Sequence, residues 1–236
     1  MVVSKSIFDC KVIRRERRKT ASLQVSPTNE VSIIVPKELS DENIERIIKR
    51  KTPWIISKLK FNEEVQYPHK AKEYVSGESF PYLSRNYRLK VIAGKTDTVG
   101  LLNGRFVVTV KKRTADATDL VIKELLTQWY IEHAASKLKE RLKRYEERIG
   151  VLSNGKIKIK SLKRQWGSCT KDGTMNFNWR IIIAPISIVD YVVVHELCHL
   201  IQHDHSKEFW RLLKRVMPDY KERKEWLRVN GALLDL

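Results

Sequence analysis

The chain has 236 residues, with 46 Lys+Arg against 28 Asp+Glu, for a formal charge of +18. Its 42% hydrophobic and 31% charged content suits a folded, water-facing protein of one large or two small domains. That content excludes global disorder, and no run approaches the roughly 18 apolar residues of a membrane helix. The N-terminus carries few apolar residues before its charges begin, so a signal peptide is not expected. Cys10, Cys169 and Cys198 are an odd, widely spaced set that fits a reducing compartment, so the expected location is cytoplasmic. The basic excess raises nucleic acid, anionic lipid or an acidic partner, and equally a well-solvated surface.

Residues 1 to about 36 read as short strands. Runs at 21–25 and 31–35 flank the turn formers Ser26, Pro27, Thr28 and Asn29, a hairpin signal. Ile44, Ile47, Ile48, Ile55, Ile56 and Leu59 predict a helix over about 41–61, with Pro53 as a break or second start. Strand character returns from about 74 to 110, in runs such as 87–92 and 106–110 punctuated by Gly and Asn. Residues 115–150 hold no internal Pro or Gly, and Val121, Leu125, Trp129, Leu138, Leu142, Tyr145 and Ile149 recur at helical spacings. The composition shift puts a domain boundary near 111–118, giving a β-rich region over 1–114 and a second domain over 115–236.

Beyond Gly150, Ile157 and Ile159 alternate with Lys156, Lys158 and Lys160 as in a half-exposed strand. Strands over 165–169 and 175–183 meet across Asp172-Gly173, a hairpin turn. Ser187 with Asp190 three positions on resembles a capping box opening a helix that runs to about Gln202. Two further helices follow, over 206–217 and 219–229, with Pro218 between them and Gly231 as a stop.

The chemistry concentrates at His195-Glu196-Leu197-Cys198-His199, an HExxH motif inside the apolar helix; composition alone gives roughly 0.01 such matches. Positions four apart share a helix face, so both imidazoles can reach one zinc ion. Glu196 is then placed to take a proton from a zinc-bound water without ligating the metal. A catalytic zinc needs a third protein ligand. His203 would lie about 12 Å from His195 along a continuous helix, too far for one ion. His205, beyond a helix break and just before the cap candidate Ser206, can fold back, which gives an HExxH-x5-H pattern. That spacing matches the metzincins, with Gln202 where they have Gly. Glu208, Glu222 and Glu225 stay open as other third ligands.

The runs Gln165-Trp166-Gly167-Ser168-Cys169, Asn176-Phe177-Asn178-Trp179-Arg180, Asp190 to His199 and His205-Ser206-Lys207-Glu208-Phe209-Trp210 resemble the YgjP-like metallopeptidase family of metal-dependent hydrolases, relatives of the SprT-like DNA-associated proteases. Weaker likeness extends through 18–22, Gly77-Glu78 and Trp129-Tyr130. The resemblance implies zinc on His195, His199 and His205, with Glu196 as catalytic acid/base. The expected fold is α+β: a β-rich N-terminal region with one helix and a C-terminal zincin-like domain. The expected activity is zinc-dependent hydrolysis of a peptide bond in a peptide or protein substrate. Alternatives are a phosphoanhydride hydrolase acting on nucleotides, a nucleic-acid-stimulated protease of the SprT-like kind, and a basic binding module with structural zinc.

Other residues carry weaker readings. Trp166, Ser168 and Cys169 either border a cleft or belong to a packed hairpin, which is the expectation. Cys198 reads as a small core residue, Met217 as core, Tyr191 as site wall or core, and His203 as a helix-end residue. His69 and His133 are assigned no role. Lys156, Lys158, Lys160, Lys163 and Arg164 lead toward the zinc helix and would recruit substrate if they line its approach.

Overall fold

The structure, a computed structural model, describes residues 8–26, 29–65, 72–112, 114–162 and 165–236. Pro27, Thr28, His69, Lys163 and Arg164 lie outside the described residues. The chain divides into two compact units, residues 1–69 and 70–236, and it mixes helices and sheets as an α+β protein.

In the first unit β1 (Cys10–Arg15), β2 (Ser22–Val25) and β3 (Val31–Pro36) form a sheet with β3 central, parallel to β1 and antiparallel to β2. Alternation along β3 buries Val31, Ile33 and Val35 on one face, where they cluster with Ile44, Ile48 and Ile55 of α1 (Asp41–Val65). The helix continues through Pro53 instead of breaking there, because fully buried Ile55 keeps the same face on the core beyond it.

The second unit opens with β4 (Ser79–Tyr82), β5 (Arg85–Ala93), β6 (Thr98–Leu102) and β7 (Arg105–Val110), in the order β4-β5-β7-β6. Its inner face carries Phe80, Leu89, Phe106 and Val108. These share a core with Ile122, Leu126 and Tyr130 of α2 (Ala115–Ile149), which ends at Gly150 with a left-handed φ of 78°. The boundary expected at 114/115 therefore falls inside this unit, at the junction of β7 and α2, where one apolar core runs across the shift in composition.

A third sheet joins β8 (Ile157–Lys160), β9 (Gly167–Cys169) and β10 (Met175–Asn178), with β10 central, parallel to β8 and antiparallel to β9. The strand expected over 175–183 stops at Asn178. Its side chain accepts a hydrogen bond from the Arg180 backbone N–H and caps a 3₁₀ turn, Trp179–Ile183. Then come α3 (Ile186–Cys198), α4 (Lys207–Val216) and α5 (Tyr220–Asn230).

The capping role expected of Ser187 and Asp190 is not what they do. Pro185 is the N-cap and makes no side-chain cap bond. Asp190, one turn inside α3, is buried and accepts two hydrogen bonds from Arg141 of α2, at 2.6 and 2.7 Å, and one from Tyr145 at 3.0 Å. This ties the motif helix to the longest helix of the chain. No helix among the described residues is long and apolar enough to cross a membrane.

Candidate metal centre

The α3 sequence is apolar almost all round, so the helix is buried: Val189, Val193, Val194, Leu197 and Cys198 are essentially inaccessible. His195, Glu196 and His199 are carried at its C-terminal end. Regular helix stops at Cys198 rather than at Gln202, and shorter turns continue through Gln202. His205 comes next, immediately before Ser206, whose hydroxyl accepts from the Phe209 N–H and starts α4. The chain folds back at this break, and one candidate ligand atom from each of His195, His199 and His205 then lies within 4.8 Å of the others. No other such group of three occurs among the described residues. Glu208 pairs instead with Arg211 and Glu225 with Arg228, and Glu222 is exposed.

The ring chemistry fits a cation. His199 Nδ1 lies 3.1 Å from the Gln202 carbonyl oxygen, which can only accept, so Nδ1 carries the proton and Nε2 of the neutral ring keeps a lone pair. His195 Nε2 and His205 Nε2 stand 3.0 Å apart. Two ligands of a tetrahedral ion, each about 2.0–2.1 Å from it, are separated by about 3.3 Å. Burial, helped by the other two histidines, pulls the His195 pKa down to about 3, and burial lowers that of His199 as well. Both rings therefore stay neutral and free to ligate.

Phe209, fully buried, lies under all three rings, with centroid distances of 4.9, 4.6 and 4.8 Å to His195, His199 and His205. His195 Nδ1 is buried without a hydrogen-bond partner among the described residues, so packing on Phe209 orients that ring. The Trp210 indole N–H donates to the His205 carbonyl at 3.1 Å and fixes the returning segment. Sequence places both aromatics in the run that resembles the family but gives neither a role, because helical apolar spacing looks the same for a core residue and for the floor of a site.

Glu196 is 5% exposed, and burial pushes its pKa up to about 8, partly offset by a hydrogen bond from the Cys169 backbone N–H. A Cβ on Gly167 would come within 2.6 Å of Glu196 Oε1 and 2.8 Å of Cγ, so only glycine fits there. An isolated Gly in a strand run is the sequence signal for such a close approach. Trp166, Ser168 and Cys169, expected in a packed hairpin, also line a cavity of about 860 Å³ together with Tyr191, His203 and the three-histidine cluster. The short edge strand β9 is thus one wall of the site, because β10 and α3 hold its other side. Cys198 and Met217 are core residues, and His133 is stacked on Trp129.

Residues 19–230 match the family described as YgjP-like, metallopeptidase domain. The chain belongs to the YgjP-like family. It is accordingly a metal-dependent peptidase by family, with a peptide or protein as its class of substrate. Among solved structures, the metallopeptidase zymogen of Pyrococcus abyssi abylysin aligns at 26% identity over 41% of this chain and 94% of that chain, with a TM-score of 0.37. No curated protein matches.

Proposed function

We propose that this protein is a zinc peptidase in which His195, His199 and His205 hold the metal and Glu196 moves the proton. The observation that carries this reading is the convergence of three imidazoles beside one buried carboxyl in a single cavity. When bound, zinc supplies Lewis acidity, which lowers the pKa of a water and polarises a scissile carbonyl. In its ionised form Glu196 takes the proton from the attacking water, and as the resulting acid returns it to the leaving amine. The Cys169 N–H and the Gly167 backbone fix the carboxyl for both transfers. Phe209 excludes water from beneath the imidazoles. A cytoplasmic location agrees with three cysteines that are all free thiols.

The test compares wild type, Glu196→Gln and His205→Ala, each assayed for zinc by elemental analysis and for cleavage of an unstructured protein. Glu196→Gln is expected to keep zinc and lose cleavage, whereas His205→Ala loses both. Full zinc occupancy in His205→Ala would overturn the ligand set. Release of phosphate or pyrophosphate from nucleoside triphosphates, without proteolysis, would overturn the peptidase reading in favour of nucleotide hydrolysis.

A further inference from the structure

The outer face of the β4-β5-β7-β6 sheet contributes nothing to the metal centre, yet it is built unlike an ordinary solvated face. Strand alternation sends Leu89, Phe106 and Val108 into the core and leaves Arg88 and Lys90 of β5 and Arg105 and Val107 of β7 on the opposite side. Arg88 and Arg105 occupy directly paired positions in the parallel ladder, and both are exposed. Like charges directly opposite across strands are destabilising, whereas an opposite charge there would contribute stability. Here none is supplied: among the described residues, no side chain of Arg88, Lys90, Arg105 or the exposed Lys111 just beyond β7 takes part in an ion pair or a side-chain hydrogen bond. The nearby acids are engaged elsewhere. Asp97 accepts from the Lys111 backbone N–H, and Glu78 accepts from the Tyr74 backbone N–H and pairs with Lys72.

We propose that this face binds double-stranded nucleic acid through its phosphates, independently of base sequence. The cations form a rigid two-dimensional array. Arg88 and Arg105 sit side by side at the strand spacing of about 4.8 Å, and Lys111 lies roughly 20 Å along β7 from Arg105. A duplex offers phosphates from two strands at one charge per about 1.7 Å of axis, a stiff surface that meets such an array without first being ordered. An acidic peptide offers a single flexible line of carboxylates and loses entropy on docking. A single-stranded partner is disfavoured by composition. Ser79, Pro81, Asn86, Ile92, Thr98, Gly100, Leu102 and Thr109 complete the outward positions of the ladder, and none is an aromatic platform for stacked bases.

The test is fluorescence anisotropy of the full chain with two fluorescein-labelled duplexes of unrelated sequence, titrated across a range of salt concentrations. Both are expected to bind with equal affinity, which falls linearly with salt on logarithmic axes. Arg88→Ser/Lys90→Ser/Arg105→Ser should flatten that slope by about 2 to 3 and weaken binding at least about tenfold. The companion set Lys156→Ser/Lys158→Ser/Lys160→Ser, on β8 and the residue just before it, should leave both unchanged. Arg105→Glu guards against misfolding: beside Arg88 it replaces repulsion by an ion pair, so the melting temperature holds or rises while binding falls. An unchanged slope in the sheet triple variant would overturn the proposal. So would loss of binding in the β8 set instead, or poly-glutamate displacing the duplex better than unlabelled duplex at equal charge.

Discussion

Three sheets among the described residues repeat one connection, and one of them walls the candidate site. In β1-β3-β2, in β5-β7-β6 and in β8-β10-β9, the third strand in sequence enters between the first two, parallel to one and antiparallel to the other. The central strands differ in what covers them. β3 and β7 alternate buried with half-buried or exposed positions, whereas all four residues of β10 are buried. Covering both faces forces the alternate residues Asn176 and Asn178 inside, where polar groups must be paired. Asn176 donates to Ser168 Oγ of β9, and Asn178 donates to the Leu162 carbonyl and accepts from Arg180. The polar side chains of a doubly covered strand thus tie down the edge strand that walls the histidine cavity, and the backbone at Leu162. The other two sheets keep one face open, and they lack this device.

The sharpest way to break that contrast is at the anchor of the covering helix. Asp190→Ala leaves buried Arg141 with only the longer, more exposed contact to Glu140 at 3.7 Å, and the cost is expected at about 3–5 kcal/mol in chemical denaturation. Asp41→Ala, which removes the partner of Arg14 in the first unit, is expected to cost under about 1 kcal/mol, because that pair is exposed and screened. Equal effects would mean that the buried pair does not hold α3.

A second test uses pH on metal-free protein. The Glu196 pKa is raised from 4.5 to about 8 in the fold, so the folded state favours the neutral acid. Stability from this group is fully present below about pH 4.5 and is lost as pH rises through about 8. Relative to Glu196→Gln, wild type should therefore gain roughly 3–5 kcal/mol on acidification across that window. His195, whose pKa falls, acts in the opposite sense below pH 6.5 but is common to both proteins and cancels. A pH-independent difference in melting temperature would show that Glu196 is not held in a desolvated place.

Two glycines on edge strands give the next contrast. Gly167→Ala in β9 drives a methyl into Glu196, and a displacement near 1 Å is expected to cut peptide cleavage about 100-fold with zinc retained. Gly100→Ala in β6 meets nothing closer than 3.7 Å and should leave cleavage unchanged. The smallest expected effect lies in the central strands. Asn178→Leu strands the Leu162 carbonyl and the Arg180 N–H, at roughly 1–3 kcal/mol, whereas Ser32→Val on half-buried β3 stays within about 0.5 kcal/mol.

Read from residues alone, the long helix ending at Gly150, the hairpin turn at Gly173 and the HExxH histidines were all visible, because each rests on local spacing or on a backbone conformation that one residue type accommodates. His205 was nominated by exclusion of His203, and the fold brings it beside His195 and His199. Packing alone decided what sits around them. Phe209 under three rings, Gly167 against Glu196 and Asp190 on Arg141 join residues that are far apart in the chain or hidden in an ordinary apolar pattern. The unit boundary was placed at the change in composition because composition reports local structure, whereas a unit is defined by a shared core that runs from β7 straight into α2. The +18 charge was plain from the start. Which of those cations stand together, unpaired and on one face, depends on strand register, and only the tertiary structure sets that.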